Sequence, residues 1–145
     1  MSKLTGVFIL LSSFCFGQTA EKELVKKTVE MLFTGMKNAD AQIIKSTFTD
    51  SPIMQSITKD GAVKNENIEN FIASISQLSK NDADERITFE AIHIDGNLAS
   101  AFTPYEFYYK GKFSHCGANS FQLIKQNDVW KIQYLIDTRR KDCKK

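Results

Sequence analysis

Residues 97–109 read NLASAFTPYEFYY, residues 112–125 read KFSHCGANSFQLIK and residues 129–139 read VWKIQYLIDTR, with Lys110-Gly111 and Asn127-Asp128 between them. β-Branched and aromatic residues at this density, punctuated by such pairs, predict strands joined by tight hairpins. Segment 85–94, closed by Asp95-Gly96, adds a fourth strand to the meander. Two-residue loops would place Ile94 opposite Asn97, Tyr109 opposite Lys112 and Gln126 opposite Val129, and alternation then assigns each side chain a face. One face collects Ile87, Phe89, Ala91, Leu98, Phe102, Pro104, Tyr108, Phe113, Phe121, Leu123, Trp130, Ile132, Tyr134 and Ile136. That is enough apolar surface to receive helices. The other face carries Thr88, Glu90, Thr103, Ser114, Ser120, Gln122, Lys131, Gln133, Asp137 and Arg139. A single bulge would invert part of this map.

Upstream, Leu24, Val25, Val29, Leu32, Phe33 and Met36 recur at three- and four-residue spacing across residues 21–37, which predicts an amphipathic helix capped by Thr19. A short second helix is expected after Asp40, with Ile43, Ile44 and Phe48 on its apolar side, ended by Asp50, Ser51 and Pro52. Residues 53–58 read as a strand, Lys59-Asp60-Gly61 as a turn, and Ala62 and Val63 as a brief return. Asn65 or Asn67 caps a third helix whose buried stripe is Ile68, Phe71, Ile72, Ile75 and Leu78, and residues 79–84 form a loop.

The 145 residues make one domain, with 42% hydrophobic, 11% aromatic and 25% charged residues. This balance excludes a disordered or multi-span membrane chain. A net charge of +2 with interspersed signs offers no electrostatic footprint for nucleic acid. Lys3, the apolar run 7–11 and small residues up to Gly17 have a secretory signal layout, with cleavage expected before Gln18. The run is too short for the roughly 20 residues that span a bilayer, so no permanent membrane anchor is expected. The expected organisation is a signal peptide at 1–17 and one domain at 18–145, exported to the periplasm or the extracellular space. The mature chain then keeps two cysteines, Cys116 and Cys143. A disulfide and a pair of free thiols both stand as readings.

The order helix, helix, short hairpin, helix, long meander resembles the nuclear transport factor 2-like superfamily, the cone fold shared with ketosteroid isomerases and SnoaL-like cyclases. Asn38-Ala39-Asp40, Phe48-Thr49-Asp50, the run 103–108, the run 115–123 and Trp130-Lys131-Ile132 through Arg140 are similar to the branch labelled putative lumazine-binding. The resemblance implies an α+β, cone-shaped roll of three N-terminal helices packed on a strongly curved, mostly antiparallel sheet of about six strands. A pocket at the open end and dimers through the outer sheet face are implied as well. It names no reaction, because one superfold hosts enzymes, binders and interaction modules.

No G-x-G-x-x-G, P-loop, H-E-x-x-H or C-x-x-C pattern is present, and with only His93 and His115 neither a metal nor a cofactor is expected. The register sets Glu106 across from His115 and His115 across from Arg140, a polar row that could hold a proton-transfer pair beside an anion or carbonyl receptor. The same row at the sheet's rim would be an ordinary surface salt bridge. Asn119 is a candidate ligand contact, since a buried amide must find partners. Tyr108 and Tyr134 could stack on an aromatic ligand, or simply pack. Glu106, Tyr108, His115, Asn119, Tyr134 and Arg140 are therefore the expected ligand-binding set, with Glu106 and His115 the catalytic candidates. The expectation is a small-molecule binder, with an isomerase, dehydratase or cyclase and a ligand-free interaction module as alternatives. On the outer face, Tyr105, Phe107 and Tyr109 beside Ala99, Ala101 and Ala118 form an apolar strip suited to a twofold homodimer contact.

Overall fold

A computed structural model describes residues 13–143. Three helices, α1 (Ser13–Asn38), α2 (Ala41–Thr47) and α3 (Ile68–Ser76), pack on seven strands: β1 (Phe48–Ile57), β2 (Val63–Glu66), β3 (Ala83–Ile87), β4 (Ala91–Asp95), β5 (Leu98–Tyr109), β6 (Lys112–Gln126) and β7 (Val129–Thr138). The sheet runs β2-β1-β7-β6-β5-β3, and β4 also pairs with β5. All neighbours are antiparallel except β1 and β7. The expected leader falls mostly on residues 1–12, which lie outside the described residues. Among the described residues no helix is long and apolar enough to cross a membrane.

Local chemistry explains the element ends. Asp40 caps α2 by accepting from the amides of Gln42 and Ile43, and Asn67 caps α3 by accepting from that of Asn70. Lys110 and Gly111 have positive φ, as do Asn127 and Asp128. Both hairpins thus use the mirror-image turn that matches strand twist. At the first hairpin the turn is Gly96-Asn97, so Asp95 faces Leu98. Partners move by two residues and faces are kept.

The core joins the stripe of α1 (Val25, Val29, Leu32, Phe33, Met36) to Ile44, Met54, Ile75, Phe121, Leu123, Trp130 and Ile132. Phe33 meets Phe121 edge-on at 6.2 Å between ring centres. The start of the domain is tied to the sheet by Glu21, whose carboxylate accepts from Trp130 Nε1 and Lys125 Nζ, both at 2.9 Å.

Two bulges and a strand break correct the expected face map. Near its turn the β5–β6 hairpin pairs Tyr109 with Lys112 and Tyr108 with Phe113, but Phe107 pairs with His115, which leaves Ser114 as an extra residue. In β6–β7, Leu123 pairs with Ile132 and Gln122 with Tyr134, which leaves Gln133 extra. Each insertion reverses the faces beyond it. Segment 85–94 is not one strand but two, broken at 88–90. As a result Ala99, Ala101, Thr103 and Tyr105 are buried, while Leu98, Phe102 and Phe113 are exposed. The strip expected to form a dimer contact is therefore split: Ala99, Ala101 and Tyr105 are buried and Phe107 lines the inner side, Tyr109 is exposed, and Ala118, paired with Pro104, stays on the outer side.

Candidate functional site

Between α1, α3 and the concave face of the sheet lies a cavity of about 570 Å³. Its apolar walls come from Leu32, Phe33 and Met36 of α1, Phe71 and Ile75 of α3, and Met54 of β1. Asn67, Asn70 and Ser74 at α3 add polar groups, and the sheet supplies a bonded polar cluster, in rows that the bulged register creates. Phe107 stands between Glu85 of β3 and His115 of β6. Asn119 stands between Thr103 of β5 and Asp137 of β7. Arg139, two residues past Asp137, lines the same cavity.

These groups are bonded to one another. Asn119 Nδ2 donates to Glu85 Oε1 at 2.8 Å and more weakly to Thr103 Oγ1 at 3.4 Å. Arg139 Nε donates to Asp137 Oδ2 at 2.7 Å, and the Tyr105 hydroxyl approaches that oxygen at 3.4 Å while donating to the Thr138 carbonyl at 2.9 Å. Asp137 Oδ1 is buried and has no hydrogen-bond partner among the described residues. His115 Nδ1 lies 3.0 Å from Ser114 Oγ, and its ring packs against Tyr105 and Phe107.

Burial pushes the Glu85 carboxyl up to about 7; the Asn119 bond opposes the shift, while the Asp137 charge adds to it. That carboxyl is poised to exchange its proton near neutrality. Burial, and then the positive charge of Arg139, hold His115 below its ordinary value, which favours a neutral imidazole. Burial and the nearby acids push the Tyr105 phenol up. For Arg139, burial alone would lower the value, but the Asp137 bond and charge outweigh it and keep the guanidinium charged.

Of the six residues expected from the sequence, the structure brings His115 and Asn119 to the cavity and leaves Glu106, Tyr108, Tyr134 and Arg140 off it. The Ser114 bulge turns Glu106 and Tyr108 outward, where the phenol donates to the carboxylate at 3.0 Å and Arg86 covers the Tyr108 ring at 4.0 Å. Glu106 accordingly pairs with Cys116 and not with His115. The Gln133 bulge turns Tyr134 to the outer side, where its hydroxyl donates to Gln55 Oε1 at 2.8 Å. Arg140 is exposed and bridges Cys116 through its backbone, while Arg139 takes the inward place.

The sequence reading missed Glu85, Tyr105, Phe107, Asp137 and Arg139. One signal was available: glycine inside a strand marks a bulge or a close backbone approach. A Cβ on Gly117 would stand 1.8 Å from the Thr138 carbonyl oxygen and 2.8 Å from a Tyr105 ring carbon. One residue before it, Cys116 is joined to Cys143 by a disulfide, which fastens the C-terminal tail beside the end of β7. No group of three or more histidine, cysteine or acidic residues suited to a metal ion occurs among the described residues.

Helices laid over a curved sheet, with bonded polar groups of the sheet on the wall of the cavity between them, define a nuclear transport factor 2-like cone. The chain belongs to the family described as "Putative lumazine-binding", whose model matches residues 20–134. Among solved structures it is similar to an NTF2-like protein of unknown function from Shewanella baltica, at 17% identity over 86% of this chain and 97% of that one, with a TM-score of 0.69. An NTF2-like protein of unknown function from Silicibacter pomeroyi aligns at 14% identity, 85% and 98% coverage and a TM-score of 0.69. A protein described as a putative dehydratase of the NTF2-like family from Streptomyces avermitilis aligns at 12% identity, 86% and 99% coverage and a TM-score of 0.63. At these identities the likeness concerns the fold. No curated protein matches the chain.

Proposed function

We propose that this protein binds a small, flat molecule in the cone cavity and holds it without transforming it. The observation that carries the reading is the cavity itself: about 570 Å³, walled by Phe33, Phe71 and Met54, with Asn119, Glu85 and Asp137 at one end. Apolar walls with a few convergent polar groups are the usual form of a small-molecule site. The family's name points to lumazine, a planar bicyclic heterocycle, and a space of this size suits one or two fused rings. Export is part of the proposal, supported by the leader-like residues 1–17 and by a disulfide of the kind that persists in oxidising compartments. So is a homodimer through the outer sheet face, where Leu98, Phe102 and Phe113 are exposed.

Glu85 favours a second reading, in which the protein is an isomerase, dehydratase or cyclase. A cavity carboxyl with a pKa of about 7 can act as a general acid or base, the role the sequence reading had given to Glu106.

Native mass spectrometry of protein recovered from the periplasm of an export-competent host tests binding and oligomeric state together. The expected result is a retained small molecule that is lost in Asn119→Leu and kept in Glu106→Gln. Apo mass in every preparation, with no binding of lumazine or related flat heterocycles by fluorescence titration, would overturn the reading.

A further inference from the structure

We infer that the polar end of the cavity selects ligands presenting adjacent N–H donors on a basic, planar group, an amidine or guanidine edge, over carboxylates and neutral amides. The inference rests on the cavity being a ligand site and adds the chemistry of what it recognises. Asp137 carries it. Its Oδ2 is occupied by Arg139 Nε at 2.7 Å, but its Oδ1 is buried and has no hydrogen-bond partner among the described residues, in a side chain that lines the cavity. A buried carboxylate oxygen without a donor is costly, and a group bringing an N–H to it recovers that cost on binding. Glu85, also at this end, has Oε1 taken by Asn119, and among the described residues no hydrogen bond reaches its other oxygen. Two carboxyl groups that accept from a ligand match a planar group with two or more N–H donors.

Charge points the same way. The ionisable groups lining the cavity are Glu85 from β3, Glu66 from β2, Asp137 and Arg139 from β7 and His115 from β6, with the Tyr105 phenol beside Asp137. Three are acids. The single guanidinium is already paired with Asp137, and His115 is held toward its neutral form. An anionic ligand would enter against this balance, whereas a cation would enter with it.

The test uses three probes of nearly one shape: benzamidine, benzamide and benzoate. Calorimetric titration of the purified full chain at pH 8 should show benzamidine binding at least about tenfold more tightly than benzamide, and benzoate not at all. Because Glu85 must give up its proton to accept from the cation, benzamidine affinity should fall about tenfold between pH 8 and pH 6. Asp137→Asn should erase the preference. Arg139→Gln, at the exposed rim, should tighten benzamidine several-fold by freeing Asp137 Oδ2, and it reports even if Asp137→Asn fails to fold. Benzamide equal to benzamidine, or benzoate binding as well as either, overturns the inference while leaving a small-molecule cavity in place. No binding of the three probes, of lumazine or of any flat heterocycle overturns both.

Discussion

Replacing Glu85 by glutamine should alter stability in a way that depends on pH. Burial moves this carboxyl from its ordinary 4.5 to about 7 on folding. Between those values the native protein holds a proton that the unfolded chain has released. Stability from this group is therefore greatest at low pH, falls as pH rises from 4.5 to about 7, and levels off above. At about 1.4 kcal/mol per pH unit the loss comes to about 3 kcal/mol by pH 8. Glu85→Gln keeps the shape and an acceptor for Asn119 Nδ2, and it does not titrate. Urea unfolding of variant and wild type at several pH values gives a difference in which other carboxyl groups largely cancel. Glu21, lowered by hydrogen bonds from Lys125 and Trp130, works in the opposite sense, because its contribution is lost only as pH falls through its folded value. In Asp84 burial pushes upward but the bonds from Lys37 and Arg86 prevail, so its contribution is also lost toward acid. The difference should swing toward the variant by about 3 kcal/mol between about pH 4.5 and pH 8, or roughly 10 °C in Tm. A flat difference across that range would refute the argument that burial governs Glu85.

The disulfide between Cys116 and Cys143 closes a loop of 27 residues' separation, so Cys143→Ser should lower the unfolding free energy by about 3.5 kcal/mol, read from urea midpoints with and without reductant. An unchanged midpoint would mean that the bond constrains nothing in the unfolded chain. Gly117→Ala should cost more than about 2 kcal/mol or prevent folding, because the added methyl meets the backbone carbonyl of Thr138 and not a side chain that can turn aside; wild-type stability in that variant would show that β7 ends farther from β6 than described.

The fold was legible because its signals are long and local. Helix stripes such as Val25, Val29, Leu32 and Met36 survive errors of a residue or two, and Lys110-Gly111 and Asn127-Asp128 fix two hairpin turns as expected. The site was only partly legible because faces depend on parity, and one inserted residue changes parity without changing composition. His115, Asn119, Phe121 and Leu123 were placed on the inner side, since they lie between Ser114 and the start of the Gln133 displacement. Glu106 and Tyr108 were misplaced across the first bulge, and Asp137, Arg139 and Tyr134 across the second. Hydrophobicity misled as well. Phe102 looks more like a core residue than Ala99 or Ala101, yet the alanines are the buried ones, since small side chains suit a closely packed position, and the phenylalanine is left 39% exposed.

The attachment of Glu21 to Trp130 and Lys125 sets how far the amino end can be trimmed. Cutting after residue 21 would take from the Trp130 indole N–H its carboxylate acceptor in a part-buried place, and would leave the Lys125 ammonium only the more distant Asp128, at 3.9 Å. The autonomous unit thus begins no later than this glutamate, one position past residue 20, where the family match starts. Fusion partners and purification tags belong ahead of that point.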